Sequence, residues 1–290
     1  MQPVLPPLFN EDQIIITGSD DKLISIDTMS LNQFANEKNK VIVFSHGFKG
    51  FKDWGPFNEI SKYFAACGYV FVKFNFSHNG TSIDDPKNFV DLDAFGNNNF
   101  SKELDDLGFV IDWVEDKFLK PEIFLLGHSR GGSISILKTA EDKRITGVLS
   151  WASPSDLLSK LLSSEKIKIW KEKNVTYVYN GRTKQNMPLY YQFYEDCIQN
   201  KERLDLRVAL ENIKTPHLHI HGELDPTVSV EAAYNMKKWN STTRLHIIKN
   251  ADHVFGGFHP YNLEEFPSHL QEALDTTLFF LNDLTKELEA

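Results

Sequence analysis

The sequence predicts an α/β domain with a mostly parallel central sheet that helices cover on both faces. Continuous apolar runs alternate with amphipathic segments along most of the 290 residues. Strands that are apolar on both faces are typical of parallel sheets enclosed between two layers of helices. Apolar residues make up 41% of the chain, which is enough for one large core. We therefore expect residues 1–290 to form a single domain.

The expected elements in the first half of the chain follow this alternation. They are a β-hairpin around a turn at 18–21, a strand at 41–44, a helix at 56–66, a strand at 69–74, a polar loop at 75–99 and a helix at 100–118. Next come a strand at 123–126, a helix to about 141 and a strand at 145–151. The carboxyl ends of parallel strands share one edge of the sheet, and sites form beyond that edge in such folds.

Residues 154–213 interrupt the alternation, because they hold no strand of the main series. The series resumes with a strand at 217–222, a helix from 229 to 239, a strand at 244–248 and a helix from about 268. We expect 154–213 to be a cap or lid inserted after the sixth strand. Tyr190, Tyr191 and Tyr194, on an expected aromatic helix, are its candidate substrate-binding residues. Packing of these rings on the core is the alternative, and both roles can hold at once.

One motif stands between the central strand and its helix. The run Gly127-His128-Ser129-Arg130-Gly131 matches Gly-x-Ser-x-Gly, which permits a turn sharp enough to strain the backbone of the serine. Glycine has no Cβ atom, so the flanking glycines avoid collisions in such a turn. The turn exposes the Ser129 hydroxyl above a helix N-terminus, where a nucleophile belongs. The alternative is a glycine-rich strand–helix turn without chemistry.

Two further residues make this serine a candidate nucleophile. A serine hydroxyl is a poor nucleophile at neutral pH, so it needs a base within reach and a third group that orients the base. Asp225 follows one later strand and His253 follows the last strand. All three residues lie just beyond carboxyl ends of predicted strands, so they can converge on one edge of the sheet. Their order, Ser129, Asp225 and then His253, is the order of the α/β-hydrolase triad.

The chain resembles the α/β-hydrolases over about residues 12–288. The motifs that carry this resemblance are Gly127-His128-Ser129-Arg130-Gly131-Gly132, His221-Gly222-Glu223-Leu224-Asp225-Pro226-Thr227-Val228, His253 after the last strand and His46-Gly47-Phe48 after an early strand. The chain is most similar to the serine-dependent branch near the dienelactone hydrolases, the cinnamoyl esterases and the prolyl-oligopeptidase-type catalytic domains. Dienelactone hydrolases proper use cysteine as the nucleophile and haloalkane dehalogenases use aspartate, so neither activity is carried over to Ser129.

The resemblance implies a role for each residue of the motif set. Ser129 would attack a carbonyl carbon, His253 would take and return the proton, and Asp225 would orient His253. The backbone N–H groups of Phe48 and Arg130 would form the oxyanion hole. The resemblance implies that no metal and no organic cofactor is needed.

Other residues compete for these roles. Glu223 and Asp252 are alternative acids, and His259 is an alternative base followed by Pro260. The position of Asp225 just before Pro226 favours Asp225 as the acid, because the turn can aim a short side chain inward.

Four more residues near these motifs invite a functional interpretation. His217, His219 and His221 alternate along one strand and resemble a run of metal ligands. They would lie inside a covered sheet without a nearby cysteine, so we expect no metal site there. The side chain of Arg130 could pack or pair structurally, or it could contact an acidic substrate.

Charge and composition restrict the partners. The net charge of -9 argues against nucleic acid and against an anionic membrane surface as partners. No apolar run is long enough to span a bilayer, and the N-terminus carries no basic start or apolar signal core. We expect a cytoplasmic protein, and the sequence does not indicate its oligomeric state.

The function expected from these observations is a serine hydrolase that cleaves a carboxylic ester of a small soluble substrate through an acyl-enzyme. One alternative is a peptidase or amidase of the prolyl-oligopeptidase type. Such enzymes usually carry a large N-terminal propeller domain, and only a few residues precede the first predicted strand. A non-enzymatic binding protein of the same fold is a further alternative, which a complete set of Ser129, Asp225 and His253 disfavours.

Overall fold

A computed structural model of the chain describes residues 8–31, 39–158 and 164–289, with side chains up to residue 286. The described strands are β1 (Phe9–Thr17), β2 (Leu23–Leu31), β3 (Lys40–Ser45), β4 (Val70–Phe74), β5 (Glu122–His128), β6 (Ile145–Trp151), β7 (Val175–Asn180), β8 (Gln185–Tyr190), β9 (His217–Gly222) and β10 (Arg244–Ile248). The described helices are α1 (Phe57–Ala66), α2 (Leu92–Gly96), α3 (Phe100–Lys117), α4 (Arg130–Glu141), α5 (Ser164–Lys173), α6 (Gln192–Gln199), α7 (Leu206–Asn212), α8 (Glu231–Trp239) and α9 (Ser268–Glu289).

The central sheet confirms the mostly parallel architecture. Its eight strands lie in the order β1-β2-β4-β3-β5-β6-β9-β10. The pairs β1–β2 and β2–β4 are antiparallel, and all other neighbours in the sheet are parallel. From β3 the chain winds toward one edge through β4 and toward the other through β5, β6, β9 and β10. The crevice beyond the carboxyl ends of β3 and β5 is therefore the topological switch point, where sites form in open α/β sheets.

Two apolar clusters cover the two faces of this sheet. Successive side chains of a strand point to opposite faces, so Val41 and Val43 lie in one cluster while Ile42 and Phe44 lie in the other. Helices α3, α4 and α7 contribute to the first cluster, and α1 and α9 contribute to the second. This arrangement explains why the strand is apolar throughout, and it confirms the prediction of helices on both faces.

The segment predicted as an insertion contains its own small sheet. Strands β7 and β8 form an antiparallel hairpin that is separate from the main sheet. Tyr190 is the last residue of β8 and α6 begins at Gln192, so the prediction that Tyr190 lies on the aromatic helix is wrong. Helix α7 buries Leu206 and Leu210 in the core of the main domain. Residues 159–163 of the predicted lid 154–213, and residues 1–7, on which the expectation about a secretion signal rests, lie outside the described residues.

The predicted polar loop at 75–99 contains the short helix α2, which the sequence interpretation missed. The Asp91 carboxylate caps this helix by accepting a hydrogen bond of 2.9 Å from the Ala94 N–H. Phe89 and Phe95 of this segment pack with Phe51 and Met187 in a third apolar cluster. That cluster joins the β7–β8 hairpin to the main domain.

Four charged side chains are buried together beside β2 and β4. Lys52 donates to Asp27 at 2.5 Å and to Asp53 at 2.9 Å. Lys73 donates to Asp27 at 2.6 Å and also to Asp53. Each of the four side chains is at most 6% exposed, and this ion cluster ties the first hairpin to the loop after β3.

The longest helices of the described chain carry charged residues at close intervals. None of the helices within the described ranges combines the length and the apolar composition that crossing a membrane requires.

Candidate active site

The turn between β5 and α4 holds Ser129 in a strained conformation, with φ 56° and ψ −126°. The Ser129 N–H donates to the Trp151 carbonyl at 2.8 Å, which fixes the turn to β6. A Cβ atom on Gly127 would lie 2.3 Å from the Gly131 backbone, and one on Gly131 would lie 2.2 Å from the Ser45 carbonyl oxygen. Only glycine fits at either position, which is the physical reason for the Gly-x-Ser-x-Gly spacing.

The structure brings Ser129, His253 and Asp225 together at the carboxyl edge of the sheet. The Ser129 Oγ atom lies 3.1 Å from His253 Nε2, and His253 Nδ1 lies 2.7 Å from Asp225 Oδ2. A carboxylate can only accept, so His253 carries its proton on Nδ1 and leaves Nε2 free to accept from the serine hydroxyl. The arrangement can abstract the Ser129 proton and stabilise the imidazolium that results.

The carboxylate of Asp225 is fully buried, yet it stays ionised. Burial alone would raise its pKa. Hydrogen bonds from His221, His253 and the Val228 N–H outweigh burial and hold the pKa of Asp225 well below its usual range. Its other oxygen, Oδ1, accepts from the Thr227 and Val228 N–H groups at 2.7 and 2.9 Å. These two bonds leave Oδ2 aimed at His253.

The competing acids and the competing base have other partners. Glu223 accepts a hydrogen bond of 3.0 Å from the Asn250 N–H. Asp252 accepts from the N–H groups of Val254 and Gly256 at 3.1 and 2.8 Å. His259 Nδ1 accepts from the Gly55 N–H at 2.9 Å, while its ring lies beside the site. The geometry favours Asp225 and His253 for the roles in question.

Phe48 and Arg130, the predicted oxyanion donors, lie on the loop after β3 and directly after Ser129. Phe48 follows β3, and Arg130 is the first residue of α4. The loop after β3 comes close to the nucleophile, because a Cβ atom on Gly47 would lie 3.0 Å from the Ser129 Cβ. Among the described residues, neither the Phe48 N–H nor the Arg130 N–H donates to a backbone carbonyl. Their role as oxyanion donors stays a prediction.

The side chain of Arg130 links these two positions. Its guanidinium lies 4.0 Å from the centre of the Phe48 ring and 4.9 Å from that of Phe100. It also pairs with Glu103 at 3.2 Å, and burial raises the pKa of the Glu103 carboxyl. The guanidinium is therefore held by its own acid partner and by two aromatic rings, behind the proposed oxyanion hole.

His128 supports the loop that carries His253, a contact that the sequence interpretation missed. Its Nε2 atom lies 2.8 Å from the His253 carbonyl oxygen, so it donates there. Burial lowers the pKa of His128 to about 3, which keeps the ring neutral at physiological pH. Its position next to Ser129 could have suggested a structural role, but its partner lies 125 residues away.

A series of buried hydrogen bonds runs from His217, at the start of β9, to Asp225 beyond its end. His217 Nδ1 lies 3.0 Å from the Thr243 hydroxyl, and His217 Nε2 lies 2.8 Å from the Ser150 hydroxyl. The same hydroxyl lies 2.7 Å from His219 Nδ1, and His219 Nε2 lies 3.0 Å from His221 Nδ1. Every ring nitrogen named here has a protein partner. Within the described part of the chain, no group of three or more potential ligands has metal-binding geometry.

The groups around His221, at the end of this series of hydrogen bonds, determine which atom donates in each bond. His221 Nε2 lies 2.9 Å from the Val228 carbonyl oxygen and 3.4 Å from Asp225 Oδ2, and both of these atoms can only accept. His221 Nε2 therefore carries a proton. The other ring nitrogen of His221, Nδ1, then accepts from His219 Nε2–H, and burial keeps the pKa of His219 far below its ordinary value. In that state every donor in the chain points toward Asp225.

A cavity of about 470 Å³ opens beside Ser129 and His253. Its apolar lining comes from Phe48, Trp54, Phe57 and Phe258, together with glycines of two loops. Asn180 and Arg182, from the β7–β8 hairpin, also line it. The sequence interpretation missed both, although the turn signal Asn180-Gly181 could have marked this hairpin tip as a candidate.

The three candidate tyrosines lie away from the lining of this cavity. The Tyr190 hydroxyl donates to Asp93 at 2.9 Å. The rings of Tyr191 and Tyr194 lie 5.5 Å apart, and both pack against Trp170. Their role in substrate binding stays a prediction, and these contacts favour the packing alternative.

No family model matches the chain, and no curated protein matches it. Several solved structures are similar to the chain. Est1E from Butyrivibrio proteoclasticus, with ferulic acid bound, has 16% identity over 94% of this chain and 99% of that chain, with a TM-score of 0.71. The alpha/beta hydrolase GrgF from Penicillium sp. sh18 has 17% identity over 94% and 98% of the two chains, with a TM-score of 0.67.

A third similar structure is a longer protein. Acylaminoacyl peptidase from Pyrococcus horikoshii has 18% identity and a TM-score of 0.66, and the match covers 96% of this chain but 42% of that chain. Identities this low carry information about architecture and not about substrate. Together with the strand order and the turn at Ser129, these similarities show that the chain has the α/β-hydrolase fold.

Proposed function

We propose that the protein is a serine hydrolase that cleaves a small carboxylic ester through an acyl-enzyme. The observation that carries this proposal is the hydrogen-bonded series from Ser129 to His253 to Asp225, with distances of 3.1 and 2.7 Å. A strained serine above a helix N-terminus, a base in contact with it and a buried acid on that base have no purely structural explanation.

The proposed reaction has two half-reactions. In the first, His253 Nε2 takes the Ser129 proton while Oγ attacks the ester carbonyl carbon, and the Phe48 and Arg130 N–H groups bind the oxyanion. The tetrahedral intermediate collapses, His253 gives its proton to the leaving alcohol, and the acyl group stays on Ser129. In the second, His253 deprotonates a water that attacks the acyl carbon, and the proton returns to Ser129 as the acid leaves. The roles of these residues need no metal and no organic cofactor.

The cavity supports a small substrate. A volume of about 470 Å³ suits a small molecule, and its aromatic lining suits an apolar body next to the scissile bond. The bound ferulic acid in Est1E, a small aromatic acid, supports the same substrate size. The similarity to acylaminoacyl peptidase keeps an amide or peptide substrate as the second candidate.

The first prediction concerns Ser129→Ala. This variant should fold like the wild type, because the change removes only a hydroxyl from the turn. We expect turnover of para-nitrophenyl esters to fall by about 10⁴-fold or more, since nucleophilic attack is lost. The measurement is kcat on a panel of acyl esters and aminoacyl amides, together with labelling by a fluorophosphonate.

Ser241→Ala is the matched control, because Ser241 is an exposed serine on a turn far along the chain from the elbow. It should label and turn over like the wild type. Activity of Ser129→Ala at the wild-type level would refute the nucleophile. Hydrolysis of amides in preference to esters would favour the peptidase alternative. Absence of both labelling and turnover in the wild type would favour the binding-protein alternative.

A further inference from the structure

The charge of the active-site cavity is opposite to that of the chain. The protein carries 40 acidic and 31 basic residues, with a net charge of -9. The lining of the cavity nevertheless includes Lys49 and Arg182 and, among the described residues, no aspartate or glutamate. A cavity lined by cationic side chains on an otherwise acidic protein is suited to an anionic ligand.

Lys49 is a cation with no acid partner among the described residues. Its ammonium donates to the Tyr179 carbonyl at 3.2 Å and lies 5.7 Å from the centre of the Phe48 ring. No carboxylate in the described ranges lies within ion-pair distance of it. Burial, and then the nearby Arg130, lower the pKa of Lys49, as expected for a cation that lacks a counter-ion.

Arg182 enters the cavity from the β7–β8 hairpin. Its guanidinium lies 5.2 and 5.5 Å from the ring centres of Phe51 and Phe89, which hold it in place. It forms no ion pair with any described carboxylate, and burial lowers its pKa. The guanidinium keeps a planar set of donors that matches a carboxylate in geometry.

The two cations come from different parts of the fold. Lys49 lies next to Phe48 in the loop after β3, and its hydrogen bond to the Tyr179 carbonyl ties it to the same hairpin that carries Arg182. Arg130, the third cation near the site, is already paired with Glu103. Lys49 and Arg182 are thus the two lining cations that remain available to a ligand.

We propose that the cavity binds an ester that carries a carboxylate away from the scissile bond, with Lys49 and Arg182 as the groups that recognise this carboxylate. The inference rests on the proposed function and specifies its substrate class. Phe48, Trp54 and Phe258 would pack on the apolar body that joins the ester to the carboxylate. The two cations act by binding and positioning, since the chemistry belongs to Ser129, His253 and Asp225.

The test compares two para-nitrophenyl esters. One is para-nitrophenyl hydrogen adipate, and the other is its neutral analogue, in which a primary amide replaces the free carboxylate. We expect the wild type to favour the anionic ester in kcat/KM. Lys49→Gln and Arg182→Gln should each reduce this preference about fivefold, the effect of one partly exposed ion pair, and added salt should reduce it further. Lys184→Gln is the control, because Lys184 is exposed on the same hairpin and does not line the cavity. It should leave the preference unchanged.

A second pair of substrates places the carboxylate on the alcohol. Carboxyphenyl hexanoate and its neutral carboxamide isostere report on the leaving-group side, and adipate esters report on the acyl side. The variants should reduce the preference in at least one pair. An equal kcat/KM for charged and neutral esters in both pairs would overturn the carboxylate site while leaving the esterase proposal intact.

A binding measurement on a variant that cannot turn over substrate tests the carboxylate site independently of the esterase proposal. Ser129→Ala should bind free adipate in a calorimetric titration, and Ser129→Ala/Arg182→Gln should bind it more weakly. If the wild type hydrolysed no ester, the esterase proposal would fail, and adipate binding by Ser129→Ala would still decide the carboxylate site. Equal adipate affinity in the two variants would refute the role of Arg182.

Discussion

At the scale of single residues, the two oxygens of Asp225 have separate tasks. Oδ1 accepts two backbone N–H groups, from Thr227 and Val228, and Oδ2 faces His253. An asparagine there has only one acceptor oxygen. If that oxygen accepts from the two backbone N–H groups, the NH₂ group of the asparagine faces His253 Nδ1. Nδ1 can accept from this NH₂ group only after it has lost its own proton. The proton moves to Nε2, where it faces Ser129 and blocks the base.

The prediction at this scale concerns the choice between three acids. Asp225→Asn should lower kcat by about 10⁴-fold, because His253 then holds the wrong tautomer. Glu223→Gln and Asp252→Asn should lower kcat by less than about tenfold, since Glu223 accepts from the Asn250 N–H of a neighbouring loop and Asp252 accepts from N–H groups of its own loop. The measurement is kcat of the three variants on one activated ester. A larger loss in Glu223→Gln or Asp252→Asn would assign the acid differently.

Strand order along the chain predicts which residues can meet, and this is why the sequence indicates Ser129, Asp225 and His253. Each follows a strand, and the carboxyl ends of parallel strands share one edge. Asn180, Arg182 and the partner of His128 could not be found in this way, because their positions depend on how the hairpin and the last loop pack. Local sequence does not encode such contacts between distant segments.

At the scale of elements, the residues of β9 have two different roles. Its apolar residues fill the core, while His217, His219 and His221 form a polar chain inside a covered sheet. The alternation of these histidines is visible in the sequence, but the insertion of the Ser150 hydroxyl from β6 depends on the register of two strands. This register places the Ser150 hydroxyl between His217 and His219 as a hydrogen-bond partner.

The prediction at this scale concerns His221, the last histidine of the hydrogen-bond series, which faces His219, the Val228 carbonyl and Asp225. His221→Phe removes the donor near Asp225 Oδ2, so the carboxylate attracts the imidazolium of His253 more strongly. We expect the acid limb of kcat/KM to move up by about half a pH unit, the effect of one weak hydrogen bond. His221→Gln retains a donor and should restore most of the wild-type profile.

A purely structural role for His221 would give a different result. In that case His221→Phe would lower kcat and the melting temperature while the acid limb kept its position. Nitrogen chemical shifts of the histidine rings provide an independent check. They should show Nε2–H tautomers for His217 and His219, as expected when the donors point toward Asp225.

At the scale of the whole molecule, hydrophobic periodicity predicts the layers but not the lateral order of the strands. Apolar runs such as Val41–Phe44 show that a strand is covered on both faces. They contain no information about which strand lies beside it. Short elements such as α2 also escape the pattern, because five residues give too little periodicity to detect.

The same fold buries several histidines in neutral form, and this affects stability. Burial lowers the pKa to about 4 for His46 and to about 3 for His128 and His217, and far below the ordinary value for His219. Below about pH 6.5 the unfolded chain takes up protons at these positions and the folded chain does not. The free energy of unfolding is therefore highest above this pH and falls as the pH decreases.

The prediction at this scale is a steep loss of stability in mild acid. Each of these histidines should reduce the free energy of unfolding by up to about 1.4 kcal/mol per pH unit below about pH 6.5. Urea unfolding between about pH 7 and pH 5 measures the slope. His269→Asn, at a partly exposed position, should keep the wild-type slope. A free energy of unfolding that stays constant over this range would contradict the prediction.

The ion cluster of Lys52, Lys73, Asp27 and Asp53 restricts how the sequence can diverge. Each lysine contacts both aspartates, so loss of any one member leaves the cluster with one uncompensated buried charge. The cost is about 3–5 kcal/mol, while the whole protein is stable by only about 5–15 kcal/mol. Replacing all four by apolar residues of similar volume would avoid this cost. Single substitutions at these positions should therefore be rare in descendants of this chain, and the four residues should be inherited or lost as one unit.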